Sequence, residues 1–127
     1  MLYAHWSDVP KEEWPYQFFT PHELASKGDG SLLVNHDAIE RLERLRTLVM
    51  RPIIITSAYR DPLHNAKVGG APLSEHKKGT AFDIRLIGHD KHSLYKLAQY
   101  VGFTGFGFYR TFLHVDTGTK RSWGSWS

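Results

Sequence analysis

Apolar residues recur at a helical spacing in one long segment of the chain. Between Asn35 and Met50, Ile39, Leu42, Leu45, Leu48 and Val49 form one stripe, while Glu40, Arg41, Glu43 and Arg44 face away. That pattern predicts an amphipathic helix. Asn35 or His36 caps it, Asp37 sits in the first turn where the helix dipole favours an acid, and Pro52 ends it. A second helix is expected from an Asp90 cap to Tyr100, with Leu94, Leu97, Ala98 and Val101 inward and Gly102 as the stop. A shorter one starts in FFTPHELAS, where Thr20 is the N-cap, Pro21 takes the first helical position and Glu23 completes a capping box.

Elsewhere the pattern shortens to strands. The β-branched run over 53–57 reads as a buried strand, and TAFDIRL over 80–86 as an alternating one. GFGFY and TFLHVDT follow as two short strands with a turn around Arg110. Residues 61–79 read as loop, punctuated by Gly69-Gly70 and Pro72. The first nineteen residues are aromatic and proline-rich without a period, and read as an irregular arm laid onto the domain. Helix, helix, strand, loop, strand, helix, strand, strand is the order of an α+β fold. It predicts a small, mainly antiparallel sheet with helices packed on one face, in one domain over 1–127.

Composition narrows the chemistry. There is no cysteine among the 127 residues, so any metal must be held by His, Asp or Glu. Eight histidines are many for such a chain and make a metal site worth seeking. The net charge of +3 comes without a long basic run, which argues against a nucleic-acid partner. No stretch approaches the roughly 18 apolar residues of a membrane helix. MLYAHWSDVPKEEW lacks a basic region followed by an apolar one, so no secretory signal is expected there and synthesis in the cytoplasm is.

Strand alternation then picks out a constellation. In TAFDIRL, Thr80, Phe82, Ile84 and Leu86 share the mostly apolar face, which puts Asp83 on the other. In TFLHVDT, Leu113 and Val115 take the core face and Phe112, His114 and Asp116 the opposite one. If the strands are neighbours, Asp83 and His114 project together, and His76 from the preceding loop folds back to join them. Two imidazoles and one carboxylate with a fourth position free make a common open zinc site. Pairing of Asp83 with Arg85 or Lys77 is the plain alternative.

The residues around this trio carry a resemblance. SEHKKGTAFDI is similar to the S-x-H-x-x-G-x-A-x-D motif of the zinc D-alanyl-D-alanine peptidases, murein peptidases whose fold is shared with lysostaphin-type enzymes and the hedgehog signalling domain. ITSAYRDPLHNAKVGGAP, FLHVDTG and FFTPHELAS resemble further segments of that group, in its short, often phage-borne branch, over roughly residues 18–124. The resemblance implies one zinc ion per chain held by His76, Asp83 and His114. It implies Arg60 at the scissile carbonyl or a substrate carboxylate, Ser74 in contact with substrate, and a backbone role for Gly79.

One departure concerns the general base. Many members of the group carry an acid three residues before the third ligand or a histidine two before it, where this chain has Thr111 and Phe112. Asp116 is the remaining acid on that face, about 7 Å along the strand from His114. It serves as the base, orients His114 or caps the turn at Thr117-Gly118; Glu75 and His64 are the other candidates. Trp123 and Trp126 are read as pinned to the core and left out of the site, and His5, His22, His36, His89 and His92 as surface residues.

The reading is therefore a monomeric zinc peptidase acting on amide bonds of bacterial peptidoglycan, as endopeptidase or D-Ala-D-Ala carboxypeptidase, made in the cytoplasm like a phage lysin or virion protein. A non-catalytic, zinc-containing wall-binding module is the alternative. A metal-dependent nuclease would want more basic residues beside the ligands than Lys77, Lys78 and Arg85.

Overall fold

A computed structural model describes residues 1–126. Its centre is a five-stranded sheet built from β3 (Ile55–Ser57), β4 (Ala81–Arg85), β5 (Gly105–Phe108), β6 (Phe112–Asp116) and β7 (Arg121–Gly124), in the order β3-β4-β6-β5-β7. Every pairing is antiparallel except that of β5 with β7, which is parallel. A separate two-stranded ribbon pairs β1 (Leu2–Tyr3) with β2 (Leu32–Leu33).

Helices cover one face of the sheet. α2 (His36–Val49) buries Ala38, Ile39, Leu42 and Leu45, and α4 (Lys91–Tyr100) buries Leu94 and Ala98. Against them the sheet presents Phe82, Ile84, Phe106, Leu113 and Val115, all in the same apolar core. Burying a side chain of this size stabilises by about 1.5–3 kcal/mol, so this face holds the fold. The fold is α+β with a small mixed sheet.

Local signals explain most of the helix ends. Asn35 caps α2 by accepting from the Ala38 amide at 3.0 Å, and Asp90 caps α4 through the His92 and Ser93 amides. Thr20 and Glu23 form the expected capping box on α1 (Pro21–Leu24). α2 stops at Val49, three residues before Pro52, because Met50 adopts a left-handed conformation with φ of 60°. Leu48, expected in the apolar stripe, is exposed, and so is Ile54 in the run expected as a buried strand.

Three segments differ from their sequence reading. The loop 61–79 contains α3 (Pro62–Lys67), capped by Asp61, and a 3-10 turn over Glu75–Lys78. The arm is more regular than expected: it holds β1 and two 3-10 turns, and Glu43 of α2 accepts from the Gln17 and Phe18 amides at 2.7 and 2.8 Å. β7 lies beyond the last strand expected from the sequence, TFLHVDT. Among the described residues no helix is long and apolar enough to cross a membrane.

Candidate metal centre

Asp83 and His114 face each other across the β4–β6 pair, in direct register. Each alternates with core residues along its strand, so both project from the side of the sheet away from α2 and α4. His76 arrives from the 3-10 turn before β4. Ser74 caps that turn by accepting from the His76 amide at 3.2 Å, and Gly79 closes it with φ of 72°. A Cβ at Gly79 would come within 2.6 Å of the Leu33 carbonyl oxygen. Only glycine suits both the backbone angle and that approach.

The ring nitrogens are assigned by their outer partners. His76 Nδ1 lies 2.6 Å from the carbonyl oxygen of Ala58. A carbonyl only accepts, so Nδ1 carries a proton and Nε2 is left facing Asp83. His114 Nε2 lies 2.7 Å from Asp116 Oδ2, so it donates to that carboxylate and leaves Nδ1 facing Asp83. Asp83 Oδ1 sits 3.2 Å from His76 Nε2 and 3.0 Å from His114 Nδ1. One ligand atom from each residue lies within 4.8 Å of the others, and all three residues are buried.

Three lone pairs pointed at one another repel unless a cation stands between them. Donors about 2.1 Å from one ion at tetrahedral angles lie about 3.4 Å apart, close to the spacings found here. The donor set therefore fits a metal of the zinc type. Burial pushes the Asp83 carboxyl up, but hydrogen bonds and charge from His114 and His76 outweigh it and hold the group at about 2. Burial likewise pushes the His114 imidazole down, and its bonds to Asp116 and Asp83 more than reverse that, raising it.

The trio lines a groove of about 540 Å³, together with Arg60, Ser74, Glu75, Tyr109 and Trp123. Arg60 donates from Nε to Ser57 Oγ at 3.1 Å and brings Nη2 within 3.5 Å of Asp83 Oδ2. Asn65 is buried beneath it, accepting from Arg60 Nη1 and donating to the Ala71 carbonyl, which ties down the glycine-rich rim.

The candidate bases fall in three different places. Asp116 is fully buried behind the His114 ring, with Oδ1 accepting from the Gly118 amide and Arg121 Nη1, and Oδ2 from His114 and Arg121 Nη2. Burial would raise its carboxyl, but these bonds keep it well below the usual range. Glu75 lines the groove and accepts from Lys78 and Thr80. His64 lines a separate hollow with Gly28 and Lys67.

Trp123 corrects the sequence reading. Its ring lies 4.9 Å from that of His114, and its Nε1 donates to the Tyr109 hydroxyl at 2.8 Å. Tyr109 in turn stacks on Phe112 at 4.3 Å. The three rings make an aromatic wall beside the trio. Trp126 packs on Phe108 and Tyr95 and donates to the Tyr109 carbonyl, as a residue pinned to the core does.

A small α+β domain with two imidazoles and one carboxylate in an open groove defines a candidate metal-binding scaffold. Residues 17–116 match the family model for Peptidase M15, and the chain belongs to that family. Over 93 residues it is 32% identical to the peptidoglycan L,D-endopeptidases MepK of Escherichia coli and Shigella flexneri, a stretch covering 66% of this chain and 51% of each relative. The chain thus spans about half the length of the curated relatives it matches.

Proposed function

We propose that this chain is a zinc-dependent peptidase that hydrolyses amide bonds in the stem peptides or cross-links of bacterial peptidoglycan. The observation that carries the reading is the convergence of His76 Nε2, Asp83 Oδ1 and His114 Nδ1 beside a groove, with both imidazoles oriented by outer partners. Family membership and the names of the MepK relatives support the class of bond and polymer.

Bound zinc would supply a Lewis acid that polarises a carbonyl and brings a water's pKa towards neutrality. The protein's own residues do the rest. Ala58 and Asp116 hold the two imidazoles in the tautomers that leave a lone pair for the ion. Arg60, anchored by Ser57 and Asn65, presents its guanidinium to a substrate carbonyl or carboxylate. Ser74 keeps the His76 turn in shape and offers its hydroxyl to the groove. Asp116 acts as the orienting partner of His114, since all its bonds are spent on protein donors. Glu75, an acid that lines the groove, is the proton acceptor we favour.

Purified peptidoglycan digested with the protein, with and without a chelator, tests this by mass spectrometry of released fragments. Fragments that appear only when zinc is present are expected, and their termini identify the bond, including whether it is the L,D type named for the relatives. Thr111 and Phe112 at the usual base positions favour a second reading, a zinc-containing wall-binding module. Zinc and wall binding without any released fragment would establish that module and sink the peptidase.

A further inference from the structure

Strand β7 lies beyond the segment that matches the family, yet its side chains reach the middle of the sheet. Parallel register sets Arg121 beside Gly105 and Trp123 beside Gly107. Antiparallel register sets the same two glycines beside Asp116 and His114. Neither glycine carries a side chain, so on this face nothing stands between β7 and β6. A Cβ at Gly105 would come within 2.0 Å of Asp116 Oδ1 and 2.3 Å of Arg121 Nη1.

Through that gap the Arg121 fork grips both oxygens of Asp116, Nη1 to Oδ1 at 3.0 Å and Nη2 to Oδ2 at 2.9 Å. Oδ2 is also the atom that accepts from His114 Nε2. We infer that Arg121 is a positioning residue for the metal centre: by clamping Asp116 it fixes the His114 tautomer that presents Nδ1 to the ion, with Gly105 as the opening it reaches through. This rests on the metal-centre reading above. Without Arg121, the Gly118 amide on Oδ1 is, among the described residues, the only anchor of the Asp116 carboxylate besides the His114 ring. A carboxylate anchored at one oxygen swings about its last torsion and follows a tilting ring. A bidentate grip removes that freedom, and a lysine, being a point charge, cannot reproduce it.

The test titrates the full chain with zinc against a competing chelator. It also follows the His114 ring nitrogens by NMR, in the zinc-loaded protein and at alkaline pH without zinc. The unaltered protein should show a slowly exchanging proton on Nε2. Arg121→Gln should weaken zinc binding about 10-fold, within the range found for outer partners of metal ligands, and speed exchange of that proton. Arg121→Lys should fall between the two. Gly105→Ala should match or exceed Arg121→Gln, although it leaves every ligand, Asp116 and Arg121 in place. Affinity within twofold of the unaltered protein for both Arg121→Gln and Gly105→Ala overturns the proposal, as does a proton on Nδ1 of neutral His114. Should Gly105→Ala fail to fold, the two Arg121 variants decide. An unaltered protein that binds no zinc refutes the metal-centre reading, while the alkaline exchange rates of unaltered and Arg121→Gln protein still decide the clamp.

Discussion

On one side of β6, strand β4 places Asp83 directly opposite His114; on the other, β5 places Gly107 opposite the same histidine and Gly105 opposite Asp116. The first neighbour contributes by presence and the second by absence. β4 brings a carboxylate into contact with the imidazole at 3.0 Å. β5 clears a path, so that Arg121 and Trp123 from the next strand reach over it. A polar site on a sheet can thus be assembled from two strands away, provided the strand between has nothing to say on that face.

Removing what β4 supplies should have the largest effect. On the proposed function, Asp83→Ala deletes one of three ligands; taking a quarter of a four-ligand zinc site's roughly 12 kcal/mol gives a loss in zinc affinity of about 100-fold. Leu113→Ala, on the neighbouring position of the opposite face, should do the reverse: about 2–5 kcal/mol of stability lost, with zinc still bound by the folded protein. Metal titration and thermal melts of the two variants separate the faces. A collapsed melt with retained zinc in Asp83→Ala would make Asp83 a structural ion-pair residue.

Asp116→Asn probes the partner that β5 leaves room for. Zinc affinity should fall by about 10–100-fold, and excess zinc should restore turnover. Loss of a general base would instead cut the rate by about 10²–10⁴-fold at saturating zinc. Wall digestion by the variant across a zinc series distinguishes the two.

Acid competes with the ion at the same nitrogens. Burial pushes the His114 imidazole down in the metal-free protein, but its hydrogen bonds to Asp116 and Asp83 more than offset this and raise it. The bound proton must leave before zinc enters. Affinity should therefore be flat at high pH and begin to fall above pH ~6.5, the ordinary histidine value, losing about 10-fold per pH unit for each proton displaced. Calorimetry in buffers of different ionisation enthalpy checks the proton count. An affinity unchanged down to pH 6 would contradict it.

Filling β5 at Gly107 should give the smallest effect. A Cβ at Gly107 would come within 2.7 Å of the Trp123 ring, so Gly107→Ala should shift tryptophan emission and reduce wall digestion by less than 10-fold, with zinc retained. Unchanged emission would mean that Trp123 does not depend on the gap.

The two sides of β6 also differed in how far the sequence discloses them. Asp83 and His114 were placed by alternation, because both lie in strands whose other face is apolar. His76 came from the motif that its turn, Gly79 and β4 spell together. β7 gave no such signal: KRSWGSWS contains no alternating apolar face, and its parallel partner β5 is joined to it only through β6 and a turn. In GFGFY, Gly105 and Gly107 look like parts of a strand and not like openings, since what a missing side chain admits is visible only once the neighbours are in place. α3 did carry a signal, an Asp61 cap followed by Pro62, but six residues are too few to show a period. The ribbon of β1 and β2 joins dipeptides thirty residues apart, which no local pattern reports.

That ribbon has a consequence for anyone who trims the protein. Leu33, paired with Leu2, supplies the carbonyl against which Gly79 closes, and Gly79 ends the turn that carries His76. A fragment cut down to residues 17–126 would keep all three metal-ligand candidates, Arg60 and the aromatic wall. It would lose the edge partner that steadies Leu33, and with it the backstop of the first ligand's turn. Such a fragment should fold around the same core yet bind added zinc more weakly than the full chain, so the leading arm is better regarded as scaffolding for the candidate metal centre than as packaging to be discarded.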